Sequence, residues 1–292
     1  MEYGESCKRS AIWLNTVRFK EALWTLSNLA ATVRSKRLPS TCVGERVYAV
    51  GDIHGRLDLF RKLLAQLEED SQSRKKGTIR IILLGDLVDR GPQSREMLEL
   101  AKRMELQNRG RLVVLCGNHE DLLLASANGN ADAQQIWLAN GGDATLASYG
   151  LDISQFVQLS PKERGDALKN VVGIDTLDWL KRLPLSYRNG DYFYCHAGVR
   201  PGVSLCKQRR EDLLWIRQEF LQNTNFHGAM IVHGHSETSE PEIMVNRINI
   251  DTRAYSSNEL TALGMQGPYR WFVSTARKYV FQSALDASRI QS

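Results

Sequence analysis

The chain has 292 residues, with 38 Lys plus Arg against 33 Asp plus Glu and a formal net charge of +5. A hydrophobic fraction of 42% with only 7 Pro and 22 Gly excludes disordered, collagen-like and cysteine-framework chains and requires a sizeable core. The small positive excess does not by itself imply a nucleic-acid surface, which needs a concentrated basic stripe.

Residues 1–41 read as an N-terminal helical extension. Ile12, Val17, Leu23, Leu26, Leu29, Ala30 and Val33 recur at helical intervals, and Arg34, Lys36, Arg37 and Pro39 form a linker. With Trp13 and Trp24, the segment is a candidate docking helix for this chain, for a partner or second copy of the chain, or for a membrane surface. From residue 42 strand and helix signals alternate. Arg46 to Val50, Ile79 to Leu84 and Leu112 to Leu115 are β-rich runs. Between them Leu57, Phe60, Leu63, Leu64 and Leu67 have helical spacing, and Met97, Leu98 and Ala101 follow a helix start at Pro92 and Ser94. This order predicts adjacent parallel strands with right-handed crossovers, an α/β fold.

Residues 129–179 break the alternation. Their apolar positions, separated by Gly141, Gly142 and Pro161, predict a mainly helical insertion that either selects substrate or caps the fold. Strands resume at Tyr192 to Cys195 and Ala229 to Val232. The pieces at Glu242 to Val245, Arg247 to Ile250, Leu260 to Leu263, Tyr269 to Val273 and Tyr279 to Phe281 read as a largely antiparallel second sheet. The catalytic domain is thus expected over 42–285, with 286–292 as a tail.

The chemistry gathers just after the strands. Val50 leads into Asp52 and His54, Leu84 into Asp86, and Leu115 into Asn118 and His119; His196 follows Cys195, while His233 and His235 follow Val232. Each residue alone reads as a cap, a turn or a satisfied core group. Carboxylates, imidazoles and an amide repeated at five strand ends, with no thiolate among them, instead match a site for two divalent ions at the sheet edge where α/β folds bind ligands.

GDIHG at 51–55, GDLVDRG at 85–91, GNHE at 117–120, His196 and the GH at 234–235 resemble the calcineurin-like metallophosphoesterases. Within them the chain looks similar to the bacterial branch of the phosphoprotein phosphatases, a group that also contains symmetrical diadenosine tetraphosphatases. The resemblance covers roughly residues 46–263. It implies a four-layer α/β/β/α sandwich carrying a helical insertion, with Asp52 and His54 on one ion, Asp86 bridging, and Asn118, His196 and His235 on the other. His233 is left open, as ligand or structural neighbour. The resemblance further implies that His119, paired with Asp89, protonates the leaving oxygen, and that Arg90 and Arg217 bind phosphate, Arg217 through the REDLLWIR segment at 210–217; Arg200 is a weaker candidate. Arg253 stands where bacterial relatives often carry glycine, and either adds positive field for a polyanionic substrate or points into solvent.

The expected activity is phosphomonoester hydrolysis, foremost of phosphoserine or phosphothreonine in protein, by a water or hydroxide bridging two ions. Mn²⁺ is the expected ion by resemblance and by the hard-to-borderline ligand set. The alternative is a diadenosine tetraphosphatase or another nucleotide polyphosphate hydrolase, and the different-class alternative is a noncatalytic metal-binding scaffold. Cys7, Cys42, Cys116, Cys195 and Cys206 show neither close pairs nor zinc-binding spacing, which predicts a reducing, cytoplasmic setting. No run reaches the roughly 18 to 20 apolar residues of a membrane span, and no signal-peptide core is present.

Overall fold

The computed structural model describes residues 38–108 and 110–276. The extension read over 1–37, Cys7, the strand expected at 279–281 and the 286–292 tail lie outside the described residues. From Pro39 onward the described residues belong to one compact unit.

In chain order the first half comprises β1 (Glu45–Val50), α1 (Leu57–Gln72), β2 (Thr78–Leu83), α2 (Ser94–Gln107), β3 (Leu112–Val114) and α3 (Asn118–Ala127). The helical insertion follows as α4 (Ala131–Trp137), a π-helical turn at Leu138–Gly142, α5 (Asp143–Ser148), α6 (Ile153–Phe156), α7 (Pro161–Val172) and α8 (Ile174–Lys181). The second half contains β4 (Ser186–Asn189), β5 (Tyr192–Cys195), α9 (Arg210–Trp215), α10 (Gln218–Leu221), β6 (Met230–His233), β7 (Glu242–Ile243), β8 (Arg247–Asn249), α11 (Ala254–Ser257), β9 (Thr261–Gln266) and β10 (Tyr269–Ser274).

Alternating side chains assign the faces of the two sheets. Val47 and Ala49 of β1 meet Tyr192 and Tyr194 of β5 and Met230 and Val232 of β6 in a core between the sheets. Tyr48 and Val50 face the other way, onto Phe60, Leu63, Met97 and Leu98 of α1 and α2. Phe193, Cys195 and Ile231 turn outward onto Leu213 and Phe220. The product is helices, sheet, sheet, helices. Sliding one of these strands by a residue would exchange its two faces, and each buried Val, Leu or Phe contributes about 1.5–3 kcal/mol, so register is strongly specified.

The first sheet runs β10-β9-β1-β2-β3 and the second β4-β5-β6-β8-β7. This corrects the expectation of a separate, largely antiparallel second sheet. The late strands divide instead: β9 and β10 pair antiparallel beside β1, with Val50 opposite Ala262, while β8 joins the second sheet parallel to β6. The reason is burial, because Leu263 and Met265 of β9 complete the core between the sheets beside Val47 and Ala49. Helix α1 docks on β1 through Leu57, Phe60, Leu63 and Leu67. Near its end, Asp70 accepts from the Tyr48 hydroxyl at 2.6 Å, from Trp271 Nε1 at 3.0 Å and from Arg74 at 2.7 and 2.8 Å. No helix among the described residues is long and apolar enough to cross a membrane.

Because β1, β2 and β3 run parallel, as do β5 and β6, their C-terminal ends open onto one edge. That edge carries buried histidines and Asp86.

Candidate metal centre

The loops at this edge hold unusual backbone. His54, Asp86, Asp89, Arg90, His235 and Arg253 all have left-handed φ, from 48° to 71°. For side-chain-bearing residues this costs roughly 1–3 kcal/mol each and persists only when surrounding bonds impose it. Glu120 supplies several of those bonds. Buried at the third position of α3, its carboxylate accepts from the backbone N–H of Asp86, Leu87 and Gly117, each at 2.8 Å. The loop after β1 is tied to the same frame, since His54 N donates to Asp86 O at 2.8 Å. Gly234 has no room for a side chain, because a Cβ there would overlap the Asp52 carboxylate.

Two groups of potential ligands share Asp86: His54, Asp86 and His119, and Asp86, His196 and His235, all buried. His54 Nε2 lies 3.6 Å from Asp86 Oδ2, and His196 Nε2 lies 3.4 Å from Asp86 Oδ1. Asn118 Oδ1 sits 2.7 Å from His196 Nε2 and 2.9 Å from His235 Nδ1. Asp52, expected beside His54, contributes to neither group. Its two oxygens accept the His235 backbone N–H at 3.3 and 3.1 Å, which joins the loop after β1 to the loop after β6.

The chemistry of this donor set fits cations. His54 Nδ1 lies 2.8 Å from Val88 O and His196 Nδ1 lies 3.0 Å from Leu84 O, so each ring donates Nδ1–H to a carbonyl. Burial holds both rings neutral, against the opposing pull of Asp86. Each Nε2 therefore presents a lone pair, yet one faces a carboxylate and the other faces both that carboxylate and an amide oxygen. Acceptors facing acceptors at these distances repel unless a positive ion lies among them. Two carboxylates beside Asp86 show the same deficit, although at Asp86 itself burial is outweighed by the surrounding imidazoles, which hold it below the usual range. Burial, with repulsion from Asp251 and Asp86, raises Asp52 well above the usual carboxylate range, and burial pushes Asp251 up to about 7. His235 is lowered to about 2 by burial and by the positive charge of its neighbours, which leaves it an unprotonated donor.

His119 differs from these rings. Its Nδ1 is 2.6 Å from Asp89 Oδ2, and although burial opposes protonation, Asp86 and Asp89 together raise it to about 9. Its Nε2 is 3.8 Å from Asp86 Oδ2 and 3.4 Å from Arg90 Nη2. The guanidinium opposes positive charge at Nε2, and the protonated form persists because Asp86 and Asp89 outweigh it. Protonated, His119 brings a second donor beside Arg90 Nη2, a pair that suits a phosphoryl or leaving-group oxygen.

Asp89 is fixed from the insertion: Thr145 Oγ1 donates to it at 2.6 Å and Trp137 Nε1 at 3.0 Å. Arg90 is held by Glu237, 2.9 Å from Nη1, and by the Tyr255 ring, whose centroid is 4.7 Å from the guanidinium carbon. Arg217 is exposed, and its charge helps lower both His196 and His235. Arg200 is committed elsewhere, to Asp212 at 2.6 Å and Glu219 at 2.7 Å. Arg253 is half-buried, donates its backbone N–H to Asp251 Oδ1 at 3.0 Å, and has φ 59°, the geometry that favours glycine at such a position. His233 lies on the outer face of β6, 5.0 Å from the Phe220 ring, directed away from the ligand groups. Sequence reading missed Glu120, Trp137, Thr145, Glu237 and Tyr255 as parts of the site. Glu120 alone carried a local signal, as the third helical residue after Gly117, the position from which a Glu carboxylate reaches back to the N-cap backbone N–H.

The sequence profile of the calcineurin-like phosphoesterases matches residues 45–262. The chain belongs to that family. A symmetrical bis(5'-nucleosyl)-tetraphosphatase of Nitrosospira multiformis is 30% identical over 62% of this chain and 53% of its own length. The chain thus spans about half the length of that relative. The asymmetrical bis(5'-nucleosyl)-tetraphosphatase PrpE of Oceanobacillus iheyensis is 26% identical over 81% of this chain and 94% of its own length. Serine/threonine-protein phosphatase 1 of Salmonella typhimurium is 27% identical over 75% and 92%. Among solved structures, a cold-active protein tyrosine phosphatase superposes with a TM-score of 0.59 at 18% identity, over 86% of this chain and 83% of that one, a likeness of fold.

Proposed function

We propose that the chain hydrolyses phosphoric ester or anhydride bonds at a two-cation centre. Asp86 is the shared ligand, Asp52 and His54 serve one ion, and Asn118, His196 and His235 serve the other, with Asp52 also accepting the backbone N–H of His235. The observation that carries this reading is the pair of neutral imidazole lone pairs aimed at opposite oxygens of one buried carboxylate. Bound divalent ions supply an acidified water and neutralise phosphoryl oxygens. The nitrogen and oxygen donor set, free of thiolate, suits Mn²⁺.

The chain's own groups divide the remaining work. Arg90 binds a phosphoryl oxygen and keeps Nη2 beside His119. His119 holds a proton at Nε2 for the departing oxygen, and Asp89 keeps it charged through Nδ1. Arg217 adds positive charge next to His196 and His235.

For the substrate, a dinucleoside polyphosphate fits as well as or better than the phosphoprotein first expected. Arg90 and Arg217 lie by different ligand groups and together suit a run of phosphates. Tyr255 is 5.5 Å from His54 and the exposed Trp215 is 6.2 Å from His235, so an aromatic ring stands by each group. The phosphoprotein reading rests on the Salmonella relative and on the REDLLWIR segment. The deciding experiment compares kcat/KM and products for diadenosine tetraphosphate, phosphoserine and phosphothreonine peptides and free nucleotides, with Mn²⁺ and with other divalent ions. Turnover of none of them by protein that binds two ions would leave the scaffold reading and remove the catalytic one.

A further inference from the structure

We propose that Glu237 is a positioning residue that holds Arg90 in the orientation required to bind a phosphoryl group. This rests on the reading that Arg90 binds phosphate. Glu237 belongs to neither ligand group, yet it lies two residues beyond His235, on the same loop. One of its oxygens, Oε1, accepts from Arg90 Nη1 and from the Tyr255 hydroxyl, both at 2.9 Å. Tyr255 in turn places its ring 4.7 Å from the guanidinium carbon. The Arg90 backbone is fixed as well, at φ 66° with its N–H donated to Gly141 O at 3.0 Å.

Three constraints therefore converge on one long side chain. Glu237 takes the Nη1 edge, Tyr255 takes a face, and Nη2 is left beside His119 Nε2. A free arginine samples many rotamers, and ordering it before substrate arrives removes that entropy from binding. An ion pair this exposed, with side chains 22% and 33% accessible, contributes little to folding. Its consequence falls on the aim of Arg90.

The test uses metal-loaded full-length protein, with calorimetric binding of inorganic phosphate and steady-state turnover of an aryl phosphate monoester. Glu237→Ala is expected to weaken phosphate binding and to lower kcat/KM by about 10-fold, mostly through KM, as loss of substrate positioning does. Glu237→Gln keeps an acceptor for Nη1 and the Tyr255 hydroxyl and is expected to restore most of the loss. In an Arg90→Ala background, Glu237→Ala is expected to change nothing further. Additive effects in the double variant, or phosphate binding in Glu237→Ala equal to or tighter than wild type, overturn the proposal. A wild-type result for Arg90→Ala by itself would overturn the phosphate role of Arg90, and the positioning role with it.

Discussion

Replacing Asp89 with Asn tests whether His119 acts as a proton donor. Asp89 is fully buried and receives His119 Nδ1 at 2.6 Å, Thr145 Oγ1 at 2.6 Å and Trp137 Nε1 at 3.0 Å. Its charge and that of Asp86 outweigh burial and keep His119 protonated up to about 9. The variant keeps an imidazole but loses the nearer anion, leaving Asp86 3.8 Å from Nε2 while burial and Arg90 oppose protonation. General acid catalysis contributes about 10²- to 10⁴-fold, and the lower end is expected because the ring remains. A 10²-fold fall corresponds to about 2.7 kcal/mol of transition-state stabilisation. The loss should depend on the leaving group, about 10²-fold for alkyl phosphates and less than about 10-fold for acidic aryl phosphates that depart without a proton. The sign of the pH effect follows. The raised His119 value keeps the acid form present at neutral pH and loses it as pH rises, so removing an anion must move the alkaline limb of kcat to lower pH. The assay is kcat across a series of phosphate monoesters, each over a pH range. Ion-binding stoichiometry and Tm serve as controls, since Asn cannot accept from all three donors and leaving one unpaired costs about 1–3 kcal/mol. Equal losses for every leaving group, or an unmoved alkaline limb, would refute the acid role.

Asp86→Asn weakens the one carboxylate common to both ligand groups, so two-ion binding and turnover should fall together; calorimetry showing two ions bound at wild-type affinity would contradict the shared-ligand assignment. Gly234→Ala sets a methyl group against the Asp52 carboxylate and should displace His235, abolishing turnover for a stability cost of about 1–3 kcal/mol read from Tm, and wild-type kcat would refute it. Burial pushes Asp70 upward, but bonds from Arg74 and Tyr48 outweigh it and leave it below the ordinary carboxylate value. Its contribution to stability is therefore present above about pH 4 and lost as pH falls through the lower folded value. Asp70→Asn should cost about 1–3 kcal/mol at neutral pH and flatten the acid side of the stability curve. Urea unfolding from acid to neutral pH would contradict this if wild type and variant ran parallel.

The sequence was most informative where chemistry follows directly on a strand. The β-rich runs at Arg46 to Val50 and Tyr192 to Cys195 marked strands, and the polar residues after them had to emerge at the strand ends. It was least informative about partners distant in the chain. Nothing near Asp89 announces that Trp137 and Thr145, from the insertion, will bond its carboxylate 48 and 56 residues later. Nothing in the late β-rich pieces says which sheet each will join, because alternation specifies the face a side chain takes and is silent about the neighbouring strand. His233 and His235 show the limit most clearly. Both follow one apolar strand, but β6 still includes His233 and turns it onto Phe220, while the left-handed turn after Gly234 brings His235 to Asn118.

The sequence by itself therefore determined the α/β class of the fold, the strand-end placement of the polar groups and the class of ion they suit, since periodicity and donor chemistry are local properties. Only the tertiary structure decided that Asp86 is shared, that Glu120 clamps the loops, that His119 is charged while His54 and His196 are neutral, and that Glu237 holds Arg90. Those outcomes depend on distances and burial created when two sheets pack face to face, and neither is encoded in the spacing of residues along the chain.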